Sequence, residues 1–208
     1  MARIYIDFDS TLYNTDKIRN FRKVIAEALA KNARMSAEGA LNEVEEVSKS
    51  KCKSKVFEVC AELEKLHGLP SHCLRETVEK VVADGEQFVF VDGINFLKRM
   101  TQKGHEINIL TYTDKEFDYQ MRKIMGSGVL EFIDNIIMCS QNKGTLSLDY
   151  QNGIFIDDNP MVIQNLSEAG VSKDRLIRMR RTGMGYSHID IDNNICTDVS
   201  SFDEINFL

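Results

Sequence analysis

Two aspartates stand one residue apart near the start of the chain, directly after a short apolar run. Asp7 and Asp9 follow residues 4–6, and this run predicts a buried β-strand. Side chains alternate along a strand, so both carboxylates are expected on the same side. Two carboxylates this close repel each other unless a cation or a proton relieves the repulsion. The pair therefore indicates cation-dependent or acid–base chemistry, and the alternative is an acidic turn that caps a helix.

More polar side chains follow three later apolar segments. They are Thr111 after residues 107–110, Lys143 a few residues after 136–138, and Asp157 with Asp158 after 154–156. In open α/β sheets, ligands bind beyond the carboxyl ends of the strands. We therefore expect these side chains and the first carboxylate pair to converge on one site.

Strand-like and helix-like segments alternate in the second half of the chain. Helices are predicted at 93–103, 114–125 and 160–169, and a last strand is predicted at 176–179. Strands separated by helices imply a parallel sheet that is covered on both faces. The sequence therefore predicts an α/β, Rossmann-like core.

The segment between the first strand and the second half contains only helical periodicity. One apolar stripe, for example, joins Val56, Val59, Cys60 and Leu63 at helical spacing. We predict a core domain of residues 1–14 and 86–208, interrupted by a small α-helical cap domain at 15–85.

The composition is that of a soluble globular protein. The 208 residues are 43% apolar and 28% charged. No run approaches the roughly 20 apolar residues that cross a bilayer, and the N-terminus does not resemble a signal peptide. Five cysteines form an odd set without a CxxC pair, which favours reduced thiols in the cytoplasm. The net charge of −6 gives no reason to expect nucleic-acid binding. No membrane partner is expected, and the oligomeric state is left open.

A cysteine–histidine stretch in the helical segment invites a zinc assignment. Cys60, His67, His72 and Cys73 lie close together in sequence, but their spacing matches no common zinc pattern. We expect these residues to pack between helices.

The polar residues at the strand ends match the requirements of phosphoryl transfer. A carboxylate can accept a phosphoryl group, and a second, protonated carboxyl can give its proton to the leaving alkoxide. A divalent cation, most suitably Mg²⁺, joins carboxylates to phosphate oxygens. A hydroxyl and an ammonium can hold the remaining oxygens.

The four motifs, in this order, resemble those of the haloacid dehalogenase superfamily. DFDST at 7–11 is similar to its first motif, ILT at 109–111 to its second, Lys143 to its third, and FIDDNP at 155–160 to its fourth. The resemblance covers about residues 2–12 and 88–180. It implies the same α/β fold, with a helical cap inserted after the first motif.

The resemblance assigns the catalytic and metal-binding roles residue by residue. Asp7 would be the nucleophile, and Asp9 the general acid and base. Asp7, the backbone carbonyl of Asp9, and Asp157 would hold Mg²⁺. Asp158 would support the site, either through a water on the cation or by orienting Lys143.

Phosphate binding is assigned in the same way to Thr111 and Lys143. Thr113 is a rival for the hydroxyl, because a one-residue difference in the end of the strand would exchange the two. Lys123 is a rival for the ammonium, but it lies inside a predicted helix, where a solvated lysine is expected. Arg180 and Arg181 follow the last strand in a Gly-containing loop, which is expected to be exposed or to contact an anion.

The resemblance therefore implies a Mg²⁺-dependent phosphatase that acts on a small phosphorylated metabolite through an aspartyl-phosphate. Transfer to an acceptor other than water stays open, as does the identity of the substrate. One alternative is a non-catalytic phosphate-binding or regulatory protein with this fold. A dehalogenase is the other alternative. That chemistry needs no cation and has no alkoxide to protonate, so Asp9 and the pair at 157–158 argue against it.

Overall fold

The computed structural model describes residues 1–18, 21–50, 55–114, 116–192 and 194–206. They form two compact units. The core unit comprises Met1–Asp16, Phe88–Lys115 and Gly128–Leu208, and the helical unit comprises Lys17–Gln87 and Glu116–Ser127.

A parallel sheet of six strands, within the described residues, forms the centre of the core unit. The strands are β1 Arg3–Ile6, β2 Glu106–Tyr112, β3 Asn135–Cys139, β4 Ile154–Asp157, β5 Leu176–Met179 and β6 Thr197–Val199. Their order across the sheet is β3-β2-β1-β4-β5-β6. The predicted α/β, Rossmann-like core is therefore confirmed.

The central position of β1 follows from its sequence. Ile4, Tyr5 and Ile6 are all buried, which requires cover on both faces of the sheet. Ile6 is level with Ile109 of β2 and with Ile156 of β4. The residues that follow these three are thus carried to the same edge of the sheet.

Eight α-helices lie within the described residues. They are α1 Thr15–Ile18, α2 Phe21–Ala33, α3 Ala37–Ser50, α4 Val56–Leu66, α5 Cys73–Ala83, α6 Val91–Gln102, α7 Phe117–Gly126 and α8 Pro160–Glu168. In this part of the chain, no helix combines the length and apolar character needed to cross a membrane.

Helix α8 begins immediately after the Asp157-Asp158 pair. Asn159 caps it by accepting a hydrogen bond from the Met161 N–H, and Pro160 occupies the first turn. The buried face of α8 packs on β4 and β5. Helix α6 packs on β2. These helices fix the strand ends that carry the polar residues.

The helical unit includes a segment that the sequence analysis placed in the core domain. Residues 116–127, with α7, pack with α5 and α4. The Phe57 N–H donates to Glu116 Oε1 at 3.1 Å, and the rings of Phe57 and Tyr119 meet edge to face. These tertiary contacts place α7 with the inserted helices, which differs from the predicted boundary.

The cysteine–histidine stretch packs as ordinary helix and turn. The buried Glu64 carboxylate accepts hydrogen bonds from the backbone N–H groups of His72 and Leu74, at the start of α5. His67 lies 2.9 Å from Glu43. Cys60 is a free thiol whose pKa is raised to about 12 by burial. Cys52 lies outside the described residues.

Candidate active site

The ammonium group of Lys143 lies between two aspartates. Its Nζ is 2.6 Å from Asp7 Oδ1 and 2.6 Å from Asp157 Oδ2, and all three side chains are buried. Asp7 follows the last residue of β1, and Asp157 is the last residue of β4, the neighbouring strand. The structure thus brings together residues that are 136 and 14 positions apart.

The backbone around Lys143 is held by local hydrogen bonds. The Asn142 side chain accepts from the Gly144 N–H at 2.8 Å, which starts a short 3₁₀ turn at Lys143–Thr145. The Tyr150 hydroxyl donates to the Lys143 carbonyl at 2.8 Å. These contacts fix the point from which the lysine side chain extends.

A third carboxylate completes the cluster. One oxygen from each of Asp7, Asp157 and Asp158 lies within 4.8 Å of the others. Asp157 Oδ1 also accepts a hydrogen bond from the Asn159 N–H at 2.9 Å. Of the two adjacent aspartates at the end of β4, Asp157 is the one that pairs with Lys143.

The carboxylates carry more charge than the lysine balances. When ionised, Asp7, Asp157 and Asp158 contribute three negative charges near one ammonium. Carboxylate oxygens are the ligands that Mg²⁺ prefers, and oxygens around a small octahedral ion are separated by roughly 3–4 Å, from metal–oxygen distances of about 2.1 Å. The cluster therefore fits a divalent cation in both donor type and charge.

Burial shifts the titration of this cluster. It raises the pKa of Asp7 to about 7, against the opposing effect of Lys143, and the charge of Asp157 adds to the increase. Burial also raises the pKa of Asp158 to about 9, with further contributions from Asp7 and Asp157. For Lys143, burial lowers the pKa, but the two aspartates outweigh that effect and raise it above its usual value. Lys143 is therefore held as an ammonium.

Asp9 occupies a separate place, in the turn after β1. Its Oδ1 accepts a hydrogen bond from Thr15 Oγ1 at 3.0 Å, and the same hydroxyl accepts from the Ser10 N–H at 3.0 Å. Ser10 has a left-handed backbone conformation, with φ of 64°. The sequence patterns did not predict this role for Thr15. Its position six residues after Asp9 is the one feature that places it near the turn.

The two candidate hydroxyls lie at the end of β2. Ile109 is level with Ile6, so Thr111 lies one residue beyond the level of Asp7. Thr113 follows the strand, and its N–H donates to the Cys139 carbonyl at 2.8 Å. Both side chains are buried. The choice of Thr111 for phosphate binding stays a prediction.

The rival lysine belongs to the other unit. Lys123 lies in α7, where its Nζ donates to Gln120 Oε1 at 2.9 Å and lies 5.4 Å from the centre of the Tyr119 ring. It is buried, so the expectation of a solvated side chain was wrong. Packing of α7 within the helical unit explains the difference.

Arg181 contacts three residues of the core unit. It pairs with Asp92 at 3.0 Å, its Nε donates to the Thr11 carbonyl at 3.3 Å, and its guanidinium stacks 3.7 Å from the centre of the Phe90 ring. Arg180 pairs with Asp190. Arg181 therefore connects the segment after β5 to α6 and to the turn that follows Asp7.

Comparison with solved structures relates this fold to known proteins. A HAD phosphatase from Thermococcus onnurineus is 17% identical, with a TM-score of 0.63 over 99% of this chain and 96% of that one. A 2-haloacid dehalogenase from Pseudomonas syringae pv. Tomato DC3000 is 14% identical, with a TM-score of 0.66 over 99% and 96%. The chain has the haloacid dehalogenase (HAD) fold. No protein-family model and no curated protein matches the sequence.

Solved structures that share this fold are described as different kinds of hydrolase. YfnB from Bacillus subtilis, described as a HAD hydrolase bound to magnesium, is 12% identical, with a TM-score of 0.56 over 98% of this chain and 96% of that one. At sequence identities this low, the structural similarity shows the fold of our chain and nothing further. Its chemistry has to be argued from its own residues, which place the first and fourth HAD-like motifs side by side at the ends of β1 and β4.

Proposed function

We propose that the protein is a Mg²⁺-dependent phosphatase that hydrolyses a small phosphorylated compound through an aspartyl-phosphate on Asp7. The observation that carries this proposal is the position of Lys143 Nζ, 2.6 Å from both Asp7 and Asp157. An ammonium between a nucleophilic carboxylate and a metal-binding carboxylate is suited to a substrate that carries several negative oxygens.

Asp7 has the properties that a nucleophile needs. Burial raises the pKa of Asp7 to about 7 and Lys143 opposes this increase, so the ionised form, which attacks phosphorus, is present at neutral pH. Attack forms a bond from a carboxylate oxygen to phosphorus and breaks the bond from phosphorus to the leaving oxygen. Water then attacks phosphorus, the bond between phosphorus and the Asp7 oxygen breaks, and inorganic phosphate leaves the regenerated carboxylate.

Asp9 would supply and remove the proton. Asp9 lies two residues after the nucleophile in sequence. The Thr15 hydroxyl donates a hydrogen bond to its Oδ1 at 3.0 Å. In protonated form, Asp9 gives its proton to the leaving alkoxide, and in ionised form it takes a proton from the attacking water. The position of this carboxyl in the turn supports the role that the resemblance assigns to it.

The cation would be held by Asp7, Asp157 and the backbone carbonyl of Asp9, with Asp158 beside them. A bound Mg²⁺ would neutralise charge on the phosphate oxygens. Lys143 and the Thr111 hydroxyl would hold the remaining phosphate oxygens.

A phosphatase explains more of the site than a dehalogenase does, although dehalogenases are among the structural neighbours. A dehalogenase also uses an aspartate nucleophile. It has no use for an acid that protonates an alkoxide, or for buried carboxylates that fit a cation. Of these two chemistries, only phosphoryl transfer gives Asp9 a role as an acid and gives Asp157 and Asp158 a role beside a cation.

The helical unit favours a small substrate. Inserted units of this kind typically exclude water and contact the part of the substrate beyond the phosphate, which disfavours a macromolecular substrate. We propose that its residues determine selectivity, while the chemical groups come from the core unit.

A screen of the purified protein against phosphorylated metabolites and p-nitrophenyl phosphate tests the proposal. The assay is run with Mg²⁺, with Ca²⁺ and with excess EDTA, and a 2-haloacid serves as the dehalogenase control. We expect phosphate release that requires Mg²⁺, is weaker with Ca²⁺ and stops with EDTA, because the larger shell of Ca²⁺ does not hold the reacting groups in line. Halide release without phosphate release would overturn the proposal.

A further inference from the structure

Gly185 approaches the carboxylate cluster from the loop that follows β5. A Cβ atom placed on Gly185 would lie 2.7 Å from Asp158 Oδ2 and 3.6 Å from both Cβ and Oγ of Ser10. Carbon atoms of side chains do not approach this closely, so any other residue would displace the Asp158 carboxylate or the loop. The Asp158 carboxylate can therefore occupy its position only because residue 185 has no side chain.

The loop is held in place by a buried arginine. Arg178, in β5, donates from Nη2 to the carbonyls of Tyr186 at 2.9 Å and of Ile189 at 2.7 Å. Its side chain is fully buried. These two bonds hold the loop in place, because a buried donor that loses its acceptor costs free energy. The residue that follows Gly185 is thus tied directly to the sheet.

A second arginine contacts the same loop. Arg180 Nε donates to the Ser187 carbonyl at 2.7 Å. The loop also contains successive turns, in which the N–H of Ser187 donates to the Met184 carbonyl and that of Ile189 to the Tyr186 carbonyl. Gly185 is therefore presented to Asp158 by a loop with an ordered backbone.

We propose that Gly185 is a positioning residue for the cation site, which it influences through Asp158. This inference rests on the proposed function, because it assumes that Asp158 belongs to a site for Mg²⁺. Because Gly185 has no Cβ atom, the Asp158 carboxylate has room to lie beside Asp7 and Asp157. A side chain at position 185 moves that carboxylate away and weakens the binding of the cation.

Gly185→Ala is the direct test, and Gly183→Ala is its matched control. Both glycines have positive φ, 43° at Gly185 and 77° at Gly183, so alanine strains the backbone at either position. A Cβ atom at Gly183 meets nothing within 4 Å, whereas at Gly185 it meets Asp158. The difference between the two variants isolates the contact with the carboxylate.

Calorimetric titration with Mg²⁺ and the Mg²⁺ concentration for half-maximal turnover are measured for both variants. Changes beside metal ligands typically cost 10–100-fold in affinity, so we expect Gly185→Ala to weaken Mg²⁺ binding by about 10-fold or more. Gly183→Ala is expected to bind Mg²⁺ as the parent does. Equal affinity in Gly185→Ala and the parent would overturn the inference and leave the proposed function intact. A parent protein that binds no Mg²⁺ would overturn both.

A double-mutant cycle covers the case in which Gly185→Ala lowers stability. Thermal unfolding in EDTA is measured for the parent, Gly185→Ala, Asp158→Ala and the double variant. Because the alanine conflicts with the Asp158 carboxylate, its effect on the unfolding midpoint should shrink when that carboxylate is removed. Additive effects of the two substitutions would contradict the inference.

Discussion

Thr15 Oγ1 donates a hydrogen bond to Asp9 Oδ1 at 3.0 Å and accepts one from the Ser10 N–H. One hydroxyl thus connects the start of the helix at Thr15–Ile18 to the turn that carries both aspartates. Because a general acid must be held in position to transfer a proton, this contact relates a residue that performs no chemistry to the proposed proton transfer.

Removal of the Thr15 hydroxyl should affect substrates according to their leaving groups. Thr15→Val is expected to lower kcat roughly 10-fold on an alkyl phosphate, whose leaving alkoxide needs a proton. The effect on p-nitrophenyl phosphate should be much smaller, since that leaving group needs little protonation. Thr15→Ser keeps the hydroxyl and should retain activity on both substrates. An equal loss of kcat on both would argue that Thr15 does not act through Asp9.

The free energy of unfolding should depend on pH and on Mg²⁺ in a linked way. Folding raises the pKa of Asp7 from 3.8 to about 7 and that of Asp158 from 3.8 to about 9. The folded state therefore binds more protons than the unfolded state between these values, so the contribution of the two groups falls as pH rises through the range.

This linkage is measured by urea unfolding between pH 5 and pH 9, in EDTA and in Mg²⁺. In EDTA, the contribution of the cluster should decline with pH, and Asp158→Asn should reduce that decline. Mg²⁺ favours the ionised carboxylates and should restore stability most at high pH. An Mg²⁺ effect that is the same at every pH would contradict the charge imbalance in the cluster.

Lys143 should be required for both stability and activity. Lys143→Met leaves buried carboxylates without their ammonium, and breaking a buried ion pair costs about 3–5 kcal/mol. We expect a loss of this order in the free energy of unfolding at pH 8 in EDTA, a smaller loss at pH 5, and no phosphatase turnover.

Lys123→Met is the matched control, because Lys123 is also a buried lysine but contacts Gln120 and Tyr119. It should still hydrolyse p-nitrophenyl phosphate in a Mg²⁺-dependent manner. If Lys123→Met abolished this turnover and Lys143→Met did not, the assignment of the third motif would be reversed.

Local patterns predicted the centre of the fold. The strands β1 and β4 consist of short apolar runs with aspartates at their ends, and β5 is apolar apart from Arg178. Near-continuous apolar runs are typical of buried parallel strands. The strand β6 was missed, because Thr197–Val199 is three residues long and includes Asp198. The assignment of α7 to the helical unit depends on tertiary contacts, such as the one between Phe57 and Tyr119, which no local pattern contains.

The sequence predicted those residues of the candidate site that lie directly at the ends of strands. Asp7, Asp157 and Asp158 follow or end apolar runs, and parallel pairing brings them together. Thr15, Gly185 and Arg178 were not predicted, since their roles arise from contacts between distant segments. A charged residue within the apolar strand Leu176–Met179 was the one available signal for Arg178. Burial of a guanidinium favours nearby hydrogen-bond acceptors, and Nη2 of Arg178 has two of them in the loop that approaches Asp158.

Trapping of the covalent intermediate tests whether Asp7 is the nucleophile. The protein is mixed with a ³²P-labelled substrate and Mg²⁺ and quenched in acid, and the protein-bound label is counted. In a parallel sample, borohydride reduces the acyl phosphate, which releases phosphate and leaves homoserine in place of the modified aspartate, and mass spectrometry locates that residue. Asp9→Asn should accumulate more label than the parent, because water activation is impaired, and Asp7→Asn should carry none while remaining folded. We predict that the label lies on Asp7. A label on another residue, or phosphate release by Asp7→Asn at the rate of the parent, would contradict the account.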